Sequence, residues 1–218
     1  MTIETLIKAV PPPVRPFEAF HGPWEPIEAA LGIALPADYK DLVRLYGRGY
    51  WFEFLGIDVP RASNRHVRLE SKVPAVCDSF EGLEDLPYPM WPDAGGLLPF
   101  GSTDNGDYLL WLPRSSPQAW GVVVWDRGFQ AFEAFDCDMT DFLAGLATGD
   151  VAPKEFPTDL AYCDQPFRPH WPEFARPWSH MAPSGRPGDP VRLSWRLGLY
   201  GSSGVSECGV RSAEAPRP

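Results

Sequence analysis

The run Asp104-Asn105-Gly106-Asp107 has the residue types of a calcium-binding loop, in which Asp and Asn oxygens bind the ion and Gly permits a sharp turn. Such a loop also requires a bidentate Glu about six residues after the Gly. The residues that follow, 108–112, are aromatic or apolar and supply no carboxylate. The pattern therefore predicts a tight turn between antiparallel strands, since Asn and Gly tolerate the positive φ that such a turn needs. No metal is predicted.

The other residues that could carry catalytic chemistry form no known arrangement. The four histidines are isolated, no Cys-x-x-Cys pair occurs, and no nucleophile motif is present. Glu81, Glu84 and Asp85 form an acidic cluster, but paired carboxylates act as acid and base only where a pocket separates their pKa values. This cluster is typical of a solvated loop, with partner binding as the alternative. No motif in the sequence therefore indicates a catalytic site, and no cofactor is expected.

The predicted turn at Asn105-Gly106 lies inside a predicted β-meander. Pro99 cannot donate to a strand ladder, which predicts that its strand lies at a sheet edge or ends early. A helix is predicted after the last strand, beginning at Asp138 and ending at Gly149. The runs that predict the strands of the meander are residues 97–100, 108–112, 120–125 and 129–135.

The N-terminal half is predicted to contain helices at 24–31 and 37–46, where apolar residues recur at spacings of three and four. A strand region is predicted at 51–57. A further helix is predicted within 61–80, although Pro74 should end or kink it. The fold class that follows is α+β: a largely antiparallel sheet with N-terminal helices and a helix after the last meander strand.

Composition changes along the chain predict four segments. Residues 1–22 contain four prolines and predict an extended lead-in. Residues 23–150 hold the predicted α+β domain. Residues 151–182 are rich in proline and aromatic residues, and we expect this extension to pack in part on the domain. Residues 183–218 are dominated by Gly, Ser, Pro and Arg, which predicts disorder.

The formal net charge of the 218 residues is −10, and residues 1–150 are the acidic part of the chain. An acidic protein repels phosphates, so direct nucleic-acid binding is not expected, whereas a basic protein partner is favoured. The acidity is equally consistent with a role in solubility alone. No apolar run approaches the length of about 20 residues that spans a bilayer. The N-terminus lacks the features of a secretory signal, so a cytoplasmic location is predicted.

Several short motifs occur in an order that is typical of a known family. They are W-x-x-I-E-x-x-L-G at 24–32, L-P-x-D-Y-K at 35–40, Y-G-x-G at 46–49, GGLLPFGSTDNGDYLLW at 95–111, WGVVVWD at 120–126 and TDFLAGLATG at 140–149. This ordered set, over about residues 20 to 150, resembles the SUKH superfamily, which includes bacterial immunity proteins and fungal cell-wall assembly regulators of the Smi/Knr type. The long Pro-rich extension after Gly149 departs from the family pattern.

The resemblance implies a non-enzymatic protein-binding function, because many bacterial members neutralise a cognate toxin, often a nuclease or deaminase. We therefore expect an immunity protein that occludes a basic toxin, with its carboxylates imitating phosphate charge and with Tyr50 and Trp91 as apolar anchors. The alternatives are a cytoplasmic scaffold or regulator of the Smi/Knr type, and an enzyme that acts on a small molecule in a cleft. The candidate contact residues are Tyr50, Glu81, Glu84, Asp85, Trp91, Asp93, Asp104 and Asp107.

Overall fold

The structure is a computed structural model that describes residues 3–83 and 86–171. The helices within these residues are α1 Glu4–Ala9, α2 Glu25–Leu31, α3 Ala37–Tyr46, α4 Leu69–Asp78 and α5 Met139–Thr148. The strands are β1 Gly49–Trp51, β2 Leu55–Ile57, β3 Leu98–Thr103, β4 Tyr108–Leu112, β5 Gly121–Asp126, β6 Ala131–Phe135 and β7 Phe167–Pro169. They form one sheet in the order β6-β5-β4-β3-β2-β1-β7, and every neighbouring pair is antiparallel.

Local sequence signals account for the helices that flank the sheet. Helix α3 follows Pro36 and ends at Gly47, which has a φ of 65°. Asp138 is the N-cap of α5, where its carboxylate accepts a hydrogen bond of 2.8 Å from the Asp141 N–H. Gly149 ends α5 in the left-handed conformation. The apolar stripe of α3 is fully buried, and it consists of Tyr39, Leu42, Val43 and Tyr46. These features confirm the α+β class that the sequence predicts.

The core is built around aromatic side chains of the central strands. The Trp111 ring on β4 lies 4.7 Å from the Phe100 ring and 5.9 Å from the Trp120 ring. The Tyr39 ring of α3 meets Trp111 edge-on at 4.9 Å, and the Tyr39 hydroxyl donates to the Asp58 carbonyl at 2.7 Å. One contact network therefore joins a helix to the middle of the sheet and to the end of β2.

The edge position predicted for the strand of Pro99 is wrong. Strand β3 is central, with β2 on one side and β4 on the other. The register with β4 shifts between Pro99 and Gly101, so Phe100 is the extra residue of a β-bulge. A bulge tolerates a residue without an N–H, which explains how proline is accommodated inside the sheet.

The extended lead-in predicted for residues 1–22 also requires correction. Helix α1 packs against α5, and both Leu6 and Val10 are buried. All four prolines of the segment lie at position 11 or later, so residues 3–10 are free to form a helix with these apolar residues four apart.

The single strand region predicted at 51–57 is instead a hairpin of β1 and β2. Phe52 and Glu53 have positive φ values of 54° and 51°, and they reverse the chain between the two strands. The helix predicted within 61–80 is present as α4, which continues through Pro74.

The residues after α5 contribute a seventh strand to the sheet. Strand β7 pairs with β1, and the Phe167 ring packs on Trp51 at 4.6 Å and on Tyr46 at 5.2 Å. Phe156 contacts Phe54 at 5.1 Å. The predictions for 172–182 and for the tail 183–218 lie outside the described residues.

Asp58 is a charged exception in the core. It is 3% exposed, and its Oδ2 atom has no hydrogen-bond partner among the described residues. Burial raises the pKa of Asp58 to about 7, although Lys72 and Arg48 act in the opposite direction.

Replacing Gly106 tests the predicted turn, because Gly106 has a φ of 88° and an added Cβ would lie 3.0 Å from the Arg127 Cδ atom. We expect Gly106→Ala to lower the free energy of unfolding by about 1–2 kcal/mol. Gly56→Ala is the matched control, because the space beside Gly56 is open, and it should be neutral or slightly stabilising. Urea denaturation of both variants measures the difference, and equal stabilities would contradict the turn geometry.

Replacing Asp58 tests the cost of its buried charge. A carboxyl whose folded pKa is raised stabilises the fold while it is protonated, and this stability is lost as pH rises from about 4 through 7. We expect Asp58→Asn to be more stable than the wild type at pH 8, by on the order of 1 kcal/mol or more. Burial also raises the pKa of Asp38, to about 6, so the stability of the variant will still depend on pH.

The measurement for Asp58 is the melting temperature between pH 4 and pH 8. The exposed carboxylate Asp93 provides the control Asp93→Asn, which should follow the wild-type profile. Parallel profiles for the wild type and Asp58→Asn would show that the buried carboxyl does not limit stability.

Candidate partner-binding surface

Three turns meet at one end of the sheet. They connect β1 to β2 at 52–54, β3 to β4 at 104–107 and β5 to β6 at 127–130. The Asp104 N–H donates to the Phe54 carbonyl at 2.9 Å, which joins the first turn to the second. A depression of about 480 Å³ joins the second turn to the third, and it is lined by Asn105, Asp107, Asp126, Arg127, Gly128 and Glu155. We call this end, with its carboxylates Glu53, Asp104, Asp126 and Glu155, the acidic turn surface.

Asp107 fixes the shape of this surface from inside. Its carboxylate accepts from the Thr103 hydroxyl at 2.6 Å and from the Arg127 N–H at 3.1 Å. Asp107 is only 1% exposed, so the expectation that it presents a carboxylate to a partner is wrong. The side chain instead holds the β3–β4 turn and the β5–β6 turn together.

Tyr50 and Asp104 are far apart in sequence and are brought together here. Tyr50 lies on β1, and its hydroxyl donates to the exposed Asp104 carboxylate. Burial raises the pKa of Tyr50 to about 12, and the hydrogen bond and negative charge of Asp104 add to this shift. Arg168, which pairs with Tyr50 in the register of β7, acts in the opposite direction. Tyr50 therefore remains a neutral hydrogen-bond donor at physiological pH.

The other predicted contact residues lie elsewhere. Trp91 and Asp93 line a separate notch of about 360 Å³ between the end of α2 and the loop at 91–96. The Trp91 ring is half-buried, and its Nε1–H donates to the Leu31 carbonyl at 2.8 Å, so part of this side chain is used to hold the fold. Glu81 is exposed just after α4, while Glu84 and Asp85 lie outside the described residues.

An exposed aromatic residue on the acidic turn surface was missed by the sequence analysis. Phe129 is 74% exposed, and its N–H donates to the Asp126 carboxylate at 2.5 Å. The sequence places Phe129 at the start of a strand, but β6 begins only at Ala131. The preceding Asp-Arg-Gly run was the available signal that Phe129 belongs to the turn. The neighbouring ring of Trp51 offers no such anchor, because it is buried against Tyr46 and Phe167.

The arrangement suits recognition of a protein surface. Exposed carboxylates attract a positively charged partner over a distance, and an exposed aromatic ring can anchor it on contact. Among residues 3–83 and 86–171, no group of three or more His, Cys, Asp or Glu side chains is placed to hold a metal ion. No helix in the described part of the chain has the length and apolar character needed to cross a bilayer.

Comparison with known families agrees with the fold. The SUKH family model described as SMI1-KNR4 cell-wall matches residues 23–143, which is more than half of the 218 residues. No curated protein and no solved structure matches the chain significantly. The matched segment runs from two residues before α2 into α5 and contains six of the seven strands of the sheet. On this match and this fold, the chain belongs to the SUKH (SMI1-KNR4) family.

Proposed function

We propose that this protein is an immunity protein, which binds a cognate toxin and neutralises it by occlusion, without catalysis of its own. The observation that carries the proposal is the acidic turn surface with Phe129 exposed beside it. Enzymes that act on nucleic acid have basic clefts that attract phosphate groups. A rigid acidic surface with an aromatic anchor is complementary to such a cleft.

Two features of the protein support the proposal that it occludes a cleft. Asp107 bridges two turns from a buried position, so the exposed carboxylates are held on a rigid support. The chain also carries a formal net charge of −10, which adds long-range attraction towards a basic partner. We expect the complex to form in the cytoplasm.

A second candidate function is a scaffold or regulator of the Smi/Knr type. The description of the matching family as SMI1-KNR4 cell-wall favours this alternative. Such a protein would bind cellular partners and would give no protection against a toxin. Growth rescue therefore separates the two functions.

The test of immunity uses the protein encoded next to this chain in its genome. Expression of that neighbour alone in a laboratory host should stop growth, and co-expression with this chain should restore it. The two purified proteins should form a stable complex. A neighbour that is harmless, or that remains harmful and unbound when both are present, would contradict the immunity proposal.

Kinetics of complex formation with the same neighbour test the proposed surface. Asp104→Asn with Glu155→Gln removes two exposed charges and preserves side-chain shape. We expect association to slow by about three- to ten-fold and its salt dependence to weaken. Glu25→Gln with Asp93→Asn is the control, because it makes the same change in net charge away from the acidic turn surface. A larger effect of the control pair would place the interface at the Trp91 notch instead.

Phe129→Ala tests the aromatic anchor. We expect dissociation to accelerate about ten-fold or more, with little change in the association rate. The control is Tyr162→Ala, which removes another highly exposed ring outside the acidic turn surface. Stopped-flow association and dissociation measurements give both rates. Equal effects of the two variants would exclude Phe129 as an anchor.

A further inference from the structure

Arg127 places a positive charge within the acidic turn surface. It lines the depression between the second and third turns together with the carboxylates Asp107, Asp126 and Glu155. The Arg127 side chain is exposed, and its guanidinium forms no ion pair or hydrogen bond with any residue within 3–83 and 86–171. Four other arginines of the described chain do form ion pairs with carboxylates, namely Arg44, Arg48, Arg61 and Arg114.

Two of the three carboxylates in the depression are already bound by other donors. The Asp107 carboxylate accepts from the Thr103 hydroxyl at 2.6 Å and from the Arg127 backbone N–H at 3.1 Å. The Asp126 carboxylate accepts from the Phe129 N–H at 2.5 Å. These hydrogen bonds hold the two carboxylates within the turns, and they leave the Arg127 guanidinium without a partner.

The Arg127 side chain is nevertheless held in position. Its backbone is tied to Asp107, and its side chain extends over the β3–β4 turn, where a Cβ added to Gly106 would lie 3.0 Å from the Arg127 Cδ atom and 3.1 Å from Nη1. A guanidinium has five N–H donors, and packing against a glycine uses none of them. A donor group that is already held in position loses little conformational freedom when a partner binds.

On the basis of the function proposed above, we propose that Arg127 binds a carboxylate that lies inside the basic cleft of the toxin. A cleft that holds basic groups alone would place positive charge against Arg127, and like charges that face each other across an interface are costly. A cleft that also contains a carboxylate satisfies Arg127, while its basic groups meet the exposed carboxylates Asp104 and Glu155.

Enzymes that act on nucleic acid can supply such a carboxylate. Their reactions require proton transfer by a positioned side chain, and a Glu or Asp in the cleft often performs it. A guanidinium binds a carboxylate through two parallel N–H···O bonds, so Arg127 would occupy this group while the rest of the surface covers the cleft. Arg127 would thereby discriminate an enzyme cleft from a protein surface that is only basic.

Arg127→Gln tests this pairing, because its two effects on the complex have opposite signs. The variant makes the acidic turn surface more negative, so association with the protein encoded next to this chain should become about two-fold faster. Loss of the ion pair should accelerate dissociation by about thirty-fold or more. If Arg127 instead faced a cleft with basic groups alone, the same variant would bind more tightly. Stopped-flow measurements give both rates.

Two further variants separate charge from geometry. Arg127→Lys keeps the charge but should recover only part of the affinity, because an ammonium cannot form two parallel hydrogen bonds. Arg65→Gln is the matched control, because Arg65 is exposed in the 3₁₀ turn Arg65–Val67, outside the acidic turn surface, and the change in net charge is the same. It should leave dissociation unchanged, and equal effects of Arg65→Gln and Arg127→Gln would overturn the pairing. Melting temperatures establish that the variants remain folded.

A double-mutant cycle identifies the carboxylate of the partner. Each Asp and Glu in the cleft of the neighbouring protein is replaced by Asn or Gln, and one replacement should abolish the additional effect of Arg127→Gln on dissociation. If the wild-type chain forms no complex with the neighbour, both the immunity proposal and the role of Arg127 are contradicted. A stable wild-type complex that Arg127→Gln leaves unchanged or tightens would overturn the role of Arg127 alone, and so would a cycle without coupling.

Discussion

The edge-on contact between Tyr39 and Trp111 is the interaction on which the rest of the structure depends. Trp111 sits on β4 near the middle of the sheet and also packs on Phe100 and Trp120. Tyr39 connects this cluster to α3, and its hydroxyl satisfies the carbonyl of Asp58 beyond the end of β2. Rings of this size bury large apolar areas and allow few alternative orientations. This contact therefore fixes the orientation of the sheet relative to α3, and the positions of the turns at the end of the sheet follow from it.

The sequence predicted those elements whose signals are local. The meander β3 to β6 and the helices α3 and α5 follow from periodicity, turn residues and caps that lie within each element. The misassigned elements depend on contacts distant in sequence. Pro99 lies in a central strand because a bulge absorbs its missing donor, and α1 is stabilised by packing against α5. The sequence around Pro99 does not reveal the bulge, and the sequence of α1 does not reveal its contact with α5.

Prediction of the candidate site from sequence is limited in the same way, because the position of each side chain depends on residues that are distant in sequence. Sequence alone identified Tyr50 and Asp104 separately, but their contact exists only because β1, β2 and β3 are neighbours. Asp104 and Asp107 are both carboxylates of one turn, yet one is exposed and the other is buried by hydrogen bonds to Thr103 and Arg127. The exposed one can attract a partner, whereas the buried one can only shape the surface. Residue type does not separate these roles, because burial is decided by the neighbouring β5–β6 turn.

That β5–β6 turn also places an aromatic ring beside the charges of the acidic turn surface. The Asp126 carboxylate accepts from the Phe129 N–H, and Phe129 is 74% exposed. The Arg127 N–H donates to Asp107, while the Arg127 side chain lies against Gly106 of the neighbouring turn. Attraction between the carboxylates and a basic partner would weaken as salt increases, whereas contact with an apolar ring does not depend on charge. The carboxylates would therefore determine how fast a basic partner arrives, and Phe129 would determine how long it remains bound.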